Sequence, residues 1–180
     1  MNIFIKTSNN KLINLNTVSY IEPFYLYGNG HPFLQRTITA IGLRAIQHIA
    51  NADNVILCKK NIEFAQSQLN TIASSIEEYC CNHKEFNEYL TTENVSGDVN
   101  RLINSQPQIL EDIPIITAIN REIKPYASNL FNLFINKLEL SSHSKNTSLV
   151  ILDISKICKE VDKIYPIALS NVIWTEYEVI

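Results

Sequence analysis

Glycine is sparse in this chain, and the four present, Gly28, Gly30, Gly42 and Gly97, never fall at the spacing of a phosphate-cradling loop. HExxH, GxSxG and the EF-hand pattern are missing as well. Their absence removes the commonest signatures of zinc hydrolysis, serine-nucleophile hydrolysis and calcium binding. No run of about 18 uncharged apolar residues occurs, so no membrane-spanning helix is expected. The opening lacks a charged stretch followed by an apolar run and a small-residue cleavage site, and Met1–Thr7 reads as a strand. The four cysteines, Cys58, Cys80, Cys81 and Cys158, lack CxxC spacing. Without an export signal they are expected as reduced thiols in a cytoplasmic protein. Ala and Met are scarce where Ile and Asn abound, the bias of an AT-rich coding sequence, which points to a low-GC bacterium or a phage.

What the chain does have is enough apolar character to bury a core: 46% of its 180 residues are hydrophobic. That length suits one domain, or two small ones sharing an interface. The net charge of −3 conceals an asymmetry. Residues 1–60 carry six cations (Lys6, Lys11, Arg36, Arg44, Lys59, Lys60) against Glu22 and Asp53, a net of +4. Residues 61–180 carry nine cations against sixteen carboxylates, a net of −7. Such a split is expected either of solvated faces or of halves that attract each other or opposite partners.

Period-two patterning and turn residues mark the first sixty positions as strands. Segments 2–7, 12–15, 18–27, 35–41, 44–50 and 55–58 carry the pattern, with Gly28-Asn29-Gly30 and residues 51–54 as loop tips. From Asn61, a candidate N-cap, the period becomes helical through Ile62, Ala65, Leu69, Ile72, Ile76 and Cys80. The remainder reads as helices punctuated by proline: short pieces at 86–90 and 99–103, first turns at Pro107 and Pro114, and a helix from Ile115 ended or kinked by Pro125. A stripe of Val150, Ile154, Ile157, Cys158, Val161 and Ile164 follows a polar loop at 141–147, and the tail 171–180 fits helix or edge strand. The expected fold is α+β. An N-terminal antiparallel sheet of about five strands is capped by one helix (residues 1–82) and followed by a helical subdomain (83–180).

Phe4-Ile5-Lys6-Thr7, Leu12-Ile13-Asn14-Leu15 and Val18-Ser19-Tyr20-Ile21, with the strand at 54–58 and the helix after it, resemble the opening of small bacterial and phage domains. Those domains set a short antiparallel sheet before one helix, and most have no assigned function. Residues 15–21 also resemble, more faintly, the strand opening a LytTR-type DNA-binding domain. That resemblance implies promoter binding through loops on a sheet, although the family's Arg/Lys-rich later half has no counterpart here.

No catalytic, cofactor or metal constellation is expected. Cys80-Cys81-Asn82-His83 is the most metal-like spot, but adjacent helical residues point about 100° apart, which suits one buried and one exposed thiol better than a shared ligand set. A cysteine nucleophile would need one of His31, His48, His83 or His143 within reach, and no spacing pairs them. The acidic pairs Glu77-Glu78, Glu85 with Glu88, and Glu111-Asp112 read as solvated helix faces. The stretch 24–33 gathers four aromatics and a histidine about a loop tip. They either fill the core face of a hairpin or form contact anchors, since aromatic rings bury large area at low rotamer cost. The candidate partner-binding residues are therefore Tyr25, Tyr27, His31 and Phe33, with Arg36 beside them. The expected function is a non-catalytic regulator, inhibitor or immunity-type protein that binds another protein. The alternatives are a nucleic-acid-binding regulator using the basic sheet and a small cysteine- or metal-dependent enzyme.

Overall fold

In the computed structural model the described residues are 2–28, 30–48, 54–90, 94–143, 149–164 and, for backbone only, 172–174. The chain is α+β, built on two sheets where the sequence pattern predicts one. The first sheet begins as a hairpin of β1 (Asn2–Lys6) and β2 (Leu12–Asn14). Its turn is closed by the Lys11 carbonyl accepting from Thr7 N–H at 2.8 Å, with Asn10 in the left-handed region at φ 67°. The second sheet is an antiparallel meander of β3 (Val18–Tyr27), β4 (Ile38–Gln47) and β5 (Val55–Phe64). Each sheet then gains a strand from the far end of the chain. β6 (Leu149–Asp153) lies parallel to β1, matching Ile3 with Val150 and Ile5 with Leu152. β7 (Val172–Trp174) joins the outer end of β5. The orders are β2-β1-β6 and β3-β4-β5-β7, so the expected sheet of about five strands is corrected to sheets of three and four.

Two further expectations change for reasons visible in the residues. Val150 belongs to a strand rather than to a helical stripe. Its neighbours alternate, Leu149 and Ile151 half exposed and Leu152 buried, and α4 (Ile154–Ile164) starts only where Asp153 Oδ1 accepts from Ser155 N–H at 3.0 Å. Likewise Asn61 caps no helix. Leu57, Cys58, Lys60 and Ile62 are buried while Glu63 is exposed, so β5 continues to Phe64 and α1 (Gln66–Asn82) follows it. The loop residues 51–53 and 144–147, and tail positions 171 and 175–180, lie outside the described residues.

Nor does α1 cap the second sheet as expected. The helix laid along β3 and β4 is α3 (Pro114–Ser142), whereas α1 packs on α2 (Val95–Ser105), α3 and the 3-10 turn Pro32–Leu34. Pro114 sits in the first turn of α3, where its missing N–H costs nothing. Ile116, Ile119, Ile123, Tyr126, Ala127, Leu130 and Phe134 then recur three and four apart along its buried side. Pro125 neither ends this 29-residue helix nor joins the stripe; it faces solvent, where water can satisfy the carbonyl one turn earlier.

One hydrophobic core joins the inner faces of both sheets to all four helices. Lys60 from β5 is carried into it. Its Nζ lies 2.6 Å from Asp162 Oδ1 on α4 and 5.3 Å from the centre of the Tyr126 ring on α3, and the Tyr126 hydroxyl donates to the same carboxylate. On the opposite face of the second sheet Gly42 is required: a Cβ there would meet the Cys58 carbonyl at 2.0 Å and the Phe24 ring at 2.8 Å. None of the described helices is long and apolar enough to cross a membrane.

Candidate functional site

The connection from β3 to β4 is a closed, internally bonded loop. A register shift between Leu26 and Tyr27 breaks the ladder, and Gly28 (φ 91°) and Gly30 (φ 76°) take backbone angles that side chains disfavour. Gly28 N–H donates to the Thr37 carbonyl at 3.2 Å, and His31 N–H donates to the Gly28 carbonyl at 2.8 Å. His31 then caps the turn Pro32–Leu34, its Nδ1 accepting from Phe33 N–H at 3.2 Å, which fixes that ring nitrogen as the unprotonated one. Leu34 anchors the loop in the core.

The five candidate residues separate. Tyr25 and Phe33 are half-buried and pack against the core. Burial, with Tyr27 adding to it, raises the Tyr25 phenol above its ordinary pKa. Tyr27 is 47% exposed. It stands between two clefts of about 450 and 320 Å³ that share Tyr27 and Gly30. His31, Gln35 and Asn104 of α2 line the larger; Leu26, Ala40, Lys59 and Asn61 line the smaller. Arg36 belongs to a third place, against α3. Asn120 of that helix donates from Nδ2 to the Arg36 carbonyl at 2.8 Å and accepts on Oδ1 from Ile38 N–H at 2.9 Å. Nothing in the sequence singled out Asn120, an isolated amide on a helix, and its partners lie more than eighty residues away.

The cations of the first sixty residues do not share one face. Lys6 and Lys11 belong to the first sheet and its turn. Arg44 pairs with Glu22 at 2.5 Å beside the Phe24 ring, Arg36 with Glu111 at 3.3 Å, and Lys60 with Asp162.

Cys80 is buried and Cys81 exposed, as a 100° turn between them demands, and burial, with Cys81 and Glu77 adding to it, pushes the Cys80 thiol up to about 11. Cys58 on β5 and Cys158 on α4 are both buried, and the Cys58 thiol is pushed up, first by its hydrogen bond to Cys158 and then by burial. High thiol pKa values oppose nucleophilic use. Ser19 Oγ and His48 Nδ1 are 2.7 Å apart, the spacing of a nucleophile and its base, but both are on the open surface. Among the described residues no group of three or more His, Cys, Asp or Glu could hold a metal ion.

No family model, curated protein or solved structure matches the chain.

Proposed function

We propose that this chain is a non-catalytic protein-binding regulator that recognises its partner through the β3–β4 loop. The observation that carries this reading is the placement of Tyr27. It is a large, half-exposed aromatic held by a hydrogen-bonded loop, with a cleft on either side into which partner side chains can insert. Tyrosine at such a position is a favoured interface anchor because it combines large area, few rotamers and a polar tip. Leu26, also exposed on β3 and lining the smaller cleft, adds apolar contact beside Tyr27. A loop tied by its own hydrogen bonds loses less entropy on binding than an untied one, which favours affinity.

The variant Tyr27→Ala tests the reading while leaving Tyr25 and Phe33 to the core and the His31 cap in place. In pull-downs from the native host, followed by calorimetry with the retained protein, the variant is expected to lose at least roughly tenfold in affinity with an unchanged circular dichroism spectrum. Equal retention by parent and variant, or retention of nothing by the parent, removes the proposal.

A further inference from the structure

We propose that the cleft between Arg36 and α3 is a binding site for a small phosphate monoester, separate from the β3–β4 loop surface. The cleft measures about 370 Å³, within the range of small-molecule sites and larger than a phosphate group alone. Arg36, Arg121 and Lys124 border it with Glu111 as the single carboxylate, a local excess of two positive charges in a chain of net charge −3. A phosphate dianion matches that excess. Arg121 and Lys124 stand three apart on α3, where like charges repel across one helix face, so an anion between them relieves a cost the free protein carries.

Arg36 strengthens the case: its side chain is 42% exposed beside the cleft, and a guanidinium presents the forked geometry that phosphate oxygens fit. Glu111 Oε1 lies 3.3 Å from its Nε, an ion pair with which an incoming anion competes. Asn120 holds the backbone from Arg36 to Ile38 through both of its hydrogen bonds.

Calorimetric titration at low ionic strength with inorganic phosphate and with adenosine monophosphate tests the site. Both probes are expected to bind. Equal affinities would assign recognition to the phosphate alone, and tighter monophosphate binding would assign the rest of the cleft to the organic moiety. Arg121→Gln/Lys124→Gln, which alters exposed side chains only, is expected to weaken binding at least roughly tenfold. Glu111→Gln, which removes the competing carboxylate, should tighten it roughly threefold. Failure of both probes to bind the parent, or undiminished binding by the double variant, overturns the proposal.

Discussion

A lysine in a strand ordinarily reads as a solvated charge, and Lys60 is the residue where that habit fails. Its side chain is 7% exposed, while that of its counter-ion Asp162 is 37% exposed. The two ends of the pair should therefore respond unequally to mutation. Asp162→Ala strips the described counter-charge from a buried ammonium and is expected to cost about 2–4 kcal/mol in urea denaturation. Lys60→Met leaves a carboxylate that water can reach and should cost less than about 1 kcal/mol. Equal losses would contradict this account. The sequence held no sign of the pair, since 102 residues separate its members. The neighbouring thiols were more legible, because helix geometry alone turns Cys81 away from the side that buries Cys80. A second expectation rests on Cys80, whose thiol is raised in the folded state from an ordinary value near 9 to about 11. Between those values the unfolded chain sheds a proton that the folded one keeps. Its contribution to stability is thus constant below about pH 9 and declines as pH rises to about 11. Denaturation midpoints across that window should fall less for Cys80→Ala than for the parent.

At the scale of elements, repetition decided what could be read in advance. The helix from Ile115 was plain in the sequence, but Pro125 pointed toward an end or kink, and the buried stripe of α3 instead recurs over five turns past it. Removing the proline should then release stability. An alanine in a helix interior is favoured over proline by about 3 kcal/mol, while proline's restriction of the unfolded chain returns at most about 1 kcal/mol. Pro125→Ala is expected to stabilise by roughly 2 kcal/mol, read as a raised denaturation midpoint at unchanged m-value. A loss of stability would show that the missing N–H is needed where it stands. Short elements were harder. Ile62, Ala65 and Leu69 satisfy helical spacing while Cys58, Lys60 and Ile62 satisfy strand spacing, and only the sheet register places the boundary after Phe64. β6 was misread because four consecutive apolar residues before a helix carry no period of their own. The candidate loop was located correctly as a connection, yet the separation of Arg36 from Tyr27 depends on Asn120, which no local pattern announces.

At the scale of the molecule, the parallel pairing of β1 with β6 makes the N-terminal and C-terminal portions depend on each other. Ile3 and Ile5 are buried against a sheet whose third strand comes from residues 149–153. A chain truncated after residue 148 loses that strand and all of α4, including Ile154, Ile157, Cys158 and Val161 from the core and Asp162 from Lys60. It is expected to lack a cooperative thermal transition and to bind hydrophobic dye; a sharp transition close to the parent's would refute the interdependence. The sequence pattern grouped the strands within residues 1–82 because local alternation says which face of a strand is apolar, never which strand lies beside it.

That same pairing sets an order of events at the ribosome. Asn2 meets Leu149, so β1 must wait for nearly the whole of the described chain to be made before this neighbour exists. At 5–20 residues per second the interval is roughly 7–30 s, during which one edge of nascent β1 lacks its permanent partner strand. Synthesis therefore hands the cell a vulnerable intermediate by construction, and chaperone capture of this hairpin should matter most when translation is slow.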